Sequence, residues 1–370
     1  MTRTGIAATF VGPNQPFVMQ EYPIVPPAPD QVLVKVTMGT ICRSDISSWA
    51  GKRSNPTPSI LGHEIIGVIE ELGSEVGPDL LGHELNVGDR ITWTEFFYCG
   101  KCHYCSVLDT PQKCLNEKKY GHISSDQEPH FVGGFADYCY VLPHTGIVRI
   151  PNNLSDQEAT PIMCGVPTMV SVIESVSLGI GDTVVIQGLG LLGLYGIALA
   201  REKKARTVIG IDSVKARLDM AETFGADKVL DAGKMSADDL VATVRDACPP
   251  DGADVIIEVC GDPAVIPQGI DMLRAGGRYA ITGTVSPNTN VNLDANRILS
   301  RMVTIRGVHN YHPRHLVEAL NFVNKHQSKY PLKQLVDAEY TLQNLDQRST
   351  TCRIEKSLGQ QSFPINDLKR

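Results

Sequence analysis

The sequence has little that would place the chain in a membrane or on nucleic acid. Its most apolar long stretch, residues 178–200, is interrupted by six glycines and two polar side chains, so it predicts a buried strand, turn and helix rather than a membrane span. The first apolar run is short and ends at Gly12 and Pro13, which is not the pattern of a secretory signal. The formal net charge of −7 gives no general excess of basic residues for binding phosphates. We therefore expect neither a membrane nor a nucleic-acid partner.

Cysteine, in contrast, is well represented. Ten cysteines occur in 370 residues, and four of them fall between Cys99 and Cys114. Without a secretory signal, this number indicates a reducing compartment in which thiols bind metals or take part in chemistry. We expect a cytoplasmic protein of ordinary globular composition, since 42% of the residues are hydrophobic and 20% are charged.

The chain length and the pattern of short elements predict two domains. Short β-rich runs punctuated by glycine and proline fill the first part of the chain, whereas the middle alternates apolar strands with amphipathic helices, which is typical of parallel βαβ units. The predicted fold class is α/β, with a β-rich domain and a doubly wound parallel-sheet domain. The predicted ranges are 1–166 for the first domain, 95–118 for a cysteine lobe within it, 167–308 for the second domain, and 309–370 for a C-terminal segment that returns to the first.

A glycine-rich motif lies near the start of the second domain. It follows the strand Thr183–Gln187, opens a helix, and consists of Gly188, Gly190, Leu191, Leu192 and Gly193. The first glycine allows a tight turn, the second lets the backbone approach a pyrophosphate, and the third lets helix and strand pack closely. A phosphate would lie at the helix N-terminus. The motif predicts a dinucleotide site, and a glycine-rich turn without a ligand is the alternative.

The second strand of this domain ends at Asp212, nineteen residues after Gly193. A carboxylate there can accept hydrogen bonds from both hydroxyls of an adenosine ribose and would repel a 2′-phosphate, so it favours NAD over NADP. Arg217, five residues further on, is the feature that would tolerate the phosphate. We also expect Thr282 and Thr284, which follow a later strand, to contact the NAD(H) cofactor.

Four cysteines form the most specific metal-binding pattern in the chain. Cys99, Cys102, Cys105 and Cys114 lie within sixteen residues. Four thiolates in tight loops match a closed tetrahedral zinc site, with metal–sulfur bonds of about 2.3 Å. Free thiols, a disulfide pair or an iron–sulfur cluster are the alternatives. We predict a structural zinc ion.

A second and sparser set offers different ligands. Cys42 follows a strand, His63 stands between Gly62 and Glu64, and Cys164 directly precedes the nucleotide domain. Two thiolates and one imidazole are the ligands of a catalytic zinc that keeps its fourth position for water or substrate. Each residue alone would more often belong to a packed core, and only the combination predicts a site. The sequence thus predicts two zinc ions per chain.

In this order and spacing, the motifs resemble the zinc-dependent medium-chain alcohol dehydrogenases over residues from about 5 to about 345. The likeness is carried by C-R-S-D at 42–45, G-H-E at 62–64, G-D-R at 88–90, the four-cysteine lobe, C-G-V at 164–166 and the glycine motif with Asp212. The resemblance implies a GroES-like catalytic domain, a Rossmann domain, and an active site in the cleft between them. It also implies hydride transfer between a small-molecule alcohol or aldehyde and NAD. We further expect a homodimer or homotetramer.

The resemblance also implies roles for residues near the second metal set. The implied ligands of the catalytic zinc are Cys42, His63 and Cys164. Glu64 would lie beside the metal, and Asp45 would orient His63, as metal-bound imidazoles usually require. Ser44 would accept the hydroxyl proton and pass it on through the cofactor ribose. Many members have a histidine five residues beyond the first zinc cysteine, where this chain has Ser47.

A narrower likeness is to alcohol dehydrogenases associated with phosphonate metabolism. It is carried by Q-K-C at 112–114, K-Y-G-H at 119–122, G-G-F-A-D at 133–137 and the run at 304–316. We therefore expect a phosphonate or similar anion on the substrate, held by basic side chains, since arginine binds phosphate-like oxygens through paired donors. The candidate residues are His309, Arg314 and His315, with Lys118, Lys119 and His122 after the lobe.

Other interpretations stay open. A neutral polyol or secondary alcohol is the alternative substrate. A zinc-free enoyl or quinone reductase would share the fold but would not need the cysteine sets, and a nucleotide-sensing protein would bind zinc and NAD without turnover. The segment from Arg348 onward does not look like the strand-rich end of the family, so Arg353 is only a candidate for the arginine that reaches the pyrophosphate.

Overall fold

The computed structural model describes residues 3–287, 289–345 and 360–364. These residues form two compact units. One unit comprises the described residues up to Pro167 and those from Tyr311 onward, and the other runs from Thr168 to Asn310. The boundaries predicted from the sequence lie after residues 166 and 308. Arg353 lies outside the described residues.

The strands and helices are numbered in chain order. The strands are β1 (Thr4–Phe10), β2 (Val18–Pro23), β3 (Val32–Ile41), β4 (Ser59–Ile60), β5 (Ile65–Leu72), β6 (Arg90–Trp93), β7 (Phe96–Phe97), β8 (Lys118–Lys119), β9 (Tyr138–Val141), β10 (Ile147–Arg149), β11 (Thr183–Gln187), β12 (Thr207–Asp212), β13 (Lys228–Asp231), β14 (Ala253–Glu258), β15 (Leu273–Ile281), β16 (Thr304–Gly307), β17 (Val336–Glu339) and β18 (Gln360–Pro364). The α-helices are α1 (Arg43–Trp49), α2 (His103–Ser106), α3 (Asp156–Ala159), α4 (Gly165–Ser175), α5 (Leu191–Glu202), α6 (Lys215–Thr223), α7 (Ala237–Ala247), α8 (Val265–Met272), α9 (Ala295–Ser300) and α10 (Pro313–His326).

The first unit is built mainly on antiparallel strands around β3. The order of its large sheet is β10-β6-β5-β3-β18-β17, and β9 also pairs with β3. The first half of β3 pairs with β9, and its second half, Met38–Ile41, pairs with β18. The alternating, largely β-branched and aliphatic sequence of β3 buries side chains on both faces. Apolar clusters around Phe10 and Phe135 and around Trp93 and Tyr120 form the core.

The second unit is a six-stranded parallel sheet with the order β13-β12-β11-β14-β15-β16. All five residues of β11 are buried, as expected for a central strand that is covered on both faces. After β11, the strands β12 and β13 are added toward one edge of the sheet, and β14 is then added on the opposite side of β11. This reversal of strand order places a switch point at the carboxyl ends of β11 and β14, where such sheets bind ligands.

The segment from Arg348 onward does not look strand-rich in sequence, but part of it forms a strand. Residues Gln360–Pro364 form β18, which lies between β3 and β17 in the large sheet. A five-residue strand that ends in proline is too short to show a clear alternating pattern. Within the described residues, no helix has both the length and the hydropathy needed to cross a bilayer.

Candidate active site and metal centres

The four thiols of the predicted structural site meet in the lobe. Their Sγ atoms all lie within 4.8 Å of one another, with 3.4 Å between Cys102 and Cys105 and between Cys99 and Cys114. All four are free cysteines, and these separations exceed a disulfide bond of about 2.05 Å. Four sulfurs about 2.3 Å from a central ion stand about 3.8 Å apart. The cluster therefore fits a tetrahedral metal ion.

Backbone donors prepare some of these sulfurs for ionisation. The N–H of Lys101 lowers the pKa of Cys99 to about 6. Sγ of Cys114 accepts from the N–H groups of Cys99 and Asn116 at 3.3 and 3.2 Å, but burial outweighs these donors and raises the pKa of Cys114. Burial raises the pKa of Cys105 to about 12. Since the thiolate is the metal ligand, coordination would release the proton that this sulfur keeps.

The second ligand set also comes together, within the first unit. Atoms of Cys42, His63, Glu64 and Cys164 that could bind a metal lie within 4.8 Å of one another. Cys42 is the N-cap of α1, directly after β3, while Cys164 directly precedes α4. Gly62, with φ +89°, turns the chain between β4 and β5, and a Cβ there would lie 2.6 Å from a ring carbon of Phe135. Three distant parts of the sequence thus supply one cluster.

Asp45 fixes the orientation of the His63 ring. Its Oδ1 lies 3.1 Å from Nδ1 of His63 and also accepts a hydrogen bond from the N–H of Gly62 at 3.2 Å. Its Oδ2 accepts from the N–H of Cys42 at 2.8 Å. The carboxylate can only accept when ionised, so Nδ1 carries the proton and Nε2 is left for a metal. Asp45 thus contacts His63, the residue that it is predicted to orient.

Electrostatic interactions and hydrogen bonds in and around the second set shift the pKa values of its members. Burial opposes ionisation of His63 and Asp45, but their mutual attraction outweighs it, so the pKa of His63 is raised and that of Asp45 is lowered. The hydrogen bond from Cys164 lowers the pKa of Cys42, and the same bond together with burial raises the pKa of Cys164. In the metal-free set, one thiol thus keeps the proton while the other is stabilised as a thiolate.

Two further predicted residues lie beside these ligands. Ser44 Oγ lies 3.2 Å from Nε2 of His63. Glu64 is fully buried, and one of its carboxylate oxygens accepts a short hydrogen bond from the hydroxyl of Thr40. Because Glu64 offers an oxygen within reach of the same cluster, it adds a carboxylate beside the two thiols and the imidazole.

His122 lies against His63. Its ring is 5.8 Å from the ring of His63, with 29° between the ring planes, and its Nδ1 makes a short hydrogen bond to the side-chain oxygen of Asn55. Burial, with the positive charges of His63 and Arg53, lowers the pKa of His122 to about 3. The sequence analysis grouped His122 with the basic residues after the lobe, and no sequence signal pointed to Asn55.

Glu95 is a second neighbour that sequence reasoning missed. It is buried, its Oε1 lies 3.5 Å from Nζ of Lys119, and its negative charge raises the pKa of Cys164. The hydroxyl of Tyr311 accepts a hydrogen bond from the N–H of Glu95 at 3.1 Å and donates to the carbonyl of Met163. Lys119, one of the predicted basic residues, is therefore paired with a carboxylate.

In the second unit, the glycine motif has the geometry of a close turn. Gly188 has φ +100°, and a Cβ there would lie 2.7 Å from the Cβ of Cys260. A Cβ on Gly193 would lie 1.9 Å from the carbonyl oxygen of Gly188, so helix and strand could not pack as they do. Gly190 is the N-cap of α5, and a Cβ there would meet nothing within 4 Å. Leu191 is buried and Leu192 is partly buried in the first turn of α5.

Asp212 lies at the end of β12, next to this turn. Its Oδ2 accepts a hydrogen bond from the N–H of Leu189 at 2.8 Å, and its Oδ1 accepts from the N–H groups of Ser213 and Val214 at 2.8 and 2.9 Å. Nη1 of Arg217 lies 3.6 Å from Oδ2. The carboxylate is held in place by three backbone groups, and the arginine is its ion-pair partner.

The two predicted threonines have different environments. Thr284 Oγ1 donates to Glu258 at 3.0 Å, whereas the buried Oγ1 of Thr282 has no hydrogen-bond partner within the described residues. The fully buried Glu258 also accepts from the N–H groups of Gly261 and Gly283 at 2.6 and 3.1 Å. Glu258 thus ties together the loops after β14 and β15, a role for which its place at the end of an apolar strand was the only sequence signal.

The candidate residues for an anionic substrate lie at and before the start of α10. His315 is buried, and its Nδ1 accepts from the N–H of His312 at 3.2 Å. His312 in turn caps the helix by accepting from the N–H of Arg314 at 3.1 Å. Arg314 is half exposed, with Nη1 3.7 Å from Glu318. His309 is exposed and belongs to the second unit.

Two parts of the chain match known protein families. Residues 28–152 match the alcohol dehydrogenase GroES-like domain, and residues 192–325 match the zinc-binding dehydrogenase family. Similar proteins include a 5-exo-hydroxycamphor dehydrogenase of Pseudomonas putida, 30% identical over 87% of this chain and 88% of the relative. A sorbitol dehydrogenase of Halalkalibacterium halodurans is 31% identical over 89% of this chain and 90% of the relative.

Solved structures show the same fold. An alcohol dehydrogenase of Thermotoga maritima superposes with a TM-score of 0.91 at 28% identity, covering 98% of this chain and 99% of that one. A zinc-binding dehydrogenase structure from Sinorhizobium meliloti, bound to NADP, has a TM-score of 0.86 at 25% identity with the same coverage. The predicted fold class, a GroES-like domain with a Rossmann-like parallel-sheet domain, is confirmed.

Proposed function

Because this chain belongs to the zinc-binding medium-chain alcohol dehydrogenase family, we propose that it oxidises a neutral secondary alcohol, or reduces the corresponding ketone, with NAD(H). The observation that carries the proposal is the ligand set around His63. Asp45 holds the proton of the imidazole on Nδ1, which leaves Nε2, two sulfurs and a carboxylate facing one point. Mixed sulfur and imidazole ligands of this kind suit a catalytic zinc better than a structural one.

The residues of this chain have separate tasks in the proposed reaction. Cys42, His63 and Cys164 would hold the zinc, which supplies Lewis acidity that favours ionisation of an alcohol hydroxyl. Asp45 keeps His63 in the tautomer and orientation for binding. Ser44, whose Oγ lies beside Nε2 of His63, would take the hydroxyl proton. The four thiols of the lobe would hold a second zinc with no open position, so two ions per chain are proposed.

The cofactor proposal depends on Asp212. Its fixed carboxylate suits the two hydroxyls of an unphosphorylated ribose, which supports NAD. The NADP-bound relative makes the other choice a real alternative, and Arg217 is the residue that would serve it. We favour NAD because Arg217 is paired with Asp212.

Two observations favour a neutral substrate. The relatives named above act, by their names, on a hydroxycamphor and on sorbitol, neither of which is an anion. In addition, Arg314 lies beside Glu318 and His315 belongs to the cap of α10, so both have structural contacts. The anionic substrate expected from the sequence stays a prediction that the same assay tests.

The assay is a panel of alcohols and ketones followed by the absorbance of the reduced cofactor. We expect turnover of neutral secondary alcohols with NAD, and loss of turnover in Cys42→Ser with the cofactor still bound. A matched control is Cys248→Ser, at the C-terminal end of α7 and outside both ligand sets. A zinc- and NAD-loaded protein that turns over none of the panel would instead support the nucleotide-sensing alternative.

A further inference from the structure

His122 has an unused hydrogen-bonding atom beside His63. Its Nδ1 is bonded to Asn55, and its ring lies 5.8 Å from that of His63. Within residues 3–287, 289–345 and 360–364, no group forms a hydrogen bond with Nε2. His122 is only partly buried, and Nε2 is not one of the buried side-chain atoms that lack a partner. The atom is therefore open to a ligand.

The neighbours of Asn55 determine whether Nε2 of His122 is a hydrogen-bond donor or acceptor. Nδ2 of Asn55 donates to Oγ of Ser59 at 2.8 Å and to the carbonyl of Gly121 at 3.3 Å. Because a carbonyl can only accept, the amide nitrogen must face Gly121 and the amide oxygen must face His122. The proton of the neutral imidazole then lies on Nδ1. Nε2 is left as a bare acceptor.

We propose that His122 accepts a hydrogen bond from a second hydroxyl of the substrate, so that the site selects alcohols with a neutral hydroxyl on the carbon next to the reacting one. This inference rests on the proposed function. The His122 ring stacks on His63, one of the residues proposed to hold the zinc, so a hydroxyl one carbon away from a zinc-bound carbinol would be within reach of His122. His122 is thereby a residue that determines substrate specificity.

The surroundings distinguish this partner from other donors. An ammonium group could also donate to Nε2. The charges that act on His122 are mostly positive, since those of His63, Arg53 and Lys119 oppose the single negative charge of Asp45, and together they would repel it. An anionic group would meet the lone pair of Nε2 and gain no donor from it. A neutral hydroxyl fits both the acceptor and the surrounding charge.

The test compares butane-2,3-diol with butan-2-ol, which lacks the second hydroxyl. We expect wild-type kcat/KM to favour the diol by about tenfold, the effect of one neutral hydrogen bond with a well-placed partner. His122→Phe keeps a ring against His63 but has no acceptor, so the preference should fall to about parity. His122→Gln can place an oxygen near the Nε2 position and should keep most of it. His130→Phe, a histidine that stacks on Tyr22, is the matched control and should keep it fully.

Binding provides a readout besides turnover. Calorimetric titration of both alcohols into the protein with reduced cofactor should show the same selectivity, lost in His122→Phe. Equal selectivity in wild type and His122→Phe would overturn the inference and leave the proposed function intact. A preference for 3-aminobutan-2-ol or 3-hydroxybutanoate over butane-2,3-diol would do the same. Selective diol binding without turnover of either alcohol would support the inference and overturn the proposed function.

Discussion

The guanidinium of Arg217 lies 3.6 Å from the carboxylate of Asp212, the residue at the end of β12. Three backbone N–H groups hold that carboxylate in place beside the glycine turn. The two side chains therefore have opposite consequences for cofactor choice. While Asp212 is charged, it repels a 2′-phosphate and occupies the arginine that would attract one.

This relationship predicts the behaviour of Asp212→Asn. The amide keeps one of the two oxygens that accept backbone hydrogen bonds, and it removes the negative charge and releases Arg217. We expect kcat/KM with NADP to rise by at least about tenfold relative to NAD, which needs only about 1.4 kcal/mol. The control is Arg217→Gln with Asp212 intact, which should not improve NADP use. A wild-type protein that prefers NADP would contradict the assignment.

Metal content separates the two ligand sets. Cys102→Ser should lose one equivalent of zinc and lower the stability of the fold, since a structural zinc contributes directly to folding. Cys42→Ser should lose the other equivalent and abolish turnover while the fold stays intact. Both are measured by atomic absorption and thermal unfolding, with Cys248→Ser expected to keep two equivalents. One zinc per chain in a fully active wild-type protein would be incompatible with this prediction.

Asp45→Asn tests the orientation of His63. The variant removes the charge that holds the proton on Nδ1, so we expect zinc affinity to fall by about 10–100-fold and turnover to fall with it. Competition with a chelator measures the affinity. Asp79→Asn is a matched control, because Oδ2 of buried Asp79 lies 3.3 Å from Nδ1 of His83 in another part of the unit. Equal zinc affinity in Asp45→Asn and wild type would remove the orienting role.

A pH-dependent contribution to stability is expected from Asp254. Burial opposes its charge, but hydrogen bonds from the N–H and hydroxyl of Thr183 and from Arg274 outweigh it, so the pKa of Asp254 is lowered. A carboxyl with a lowered folded-state pKa stabilises above its unfolded pKa, and this contribution is lost as the pH falls through the folded-state pKa.

Asp254→Asn should therefore lower stability at pH 7 by about 1–3 kcal/mol. The difference from wild type should narrow below about pH 4, near the ordinary pKa of aspartate. Urea unfolding across this range measures both effects, and the exposed Asp246→Asn serves as the control. A difference that does not change with pH would show that the charge of Asp254 is not the cause.

Features that lie close together in sequence could be grouped from the sequence. Gly188 and Gly193 belong to one turn, and the four lobe cysteines to one loop, so their spacing alone constrains their geometry. His63 and Cys164 are about a hundred residues apart, so only their ligand chemistry and the family resemblance pointed to a shared site. The structure brings the members of each set close together, while the zinc ions, their number and the predicted homodimer or homotetramer stay predictions.

Contacts between single distant residues could not be predicted. His122 meets Asn55 across 67 positions, and Tyr311 meets Met163 across 148. His122 and Tyr311 lie in runs that carry a family likeness, but no motif or periodic pattern links either residue to its partner, so the sequence carries no signal for these contacts. The N-cap of α10, His312, was missed for a related reason, since histidine is an unusual N-cap and the run at 304–316 was interpreted only through its family likeness and its basic side chains.

The pairing of β18 with Met38–Ile41 has a consequence for biosynthesis. At about 5–20 residues per second, a ribosome needs on the order of 15 to 60 seconds to travel from β3 to β18. During that interval the second half of β3 is an unprotected edge that can recruit other strands, although the continuous unit between Thr168 and Asn310 can already fold. Zinc measured on ribosome-stalled nascent chains should accordingly appear first in the cysteine lobe, because its ligands emerge together. Cys42 directly follows this edge, so zinc should bind there only after the chain is released.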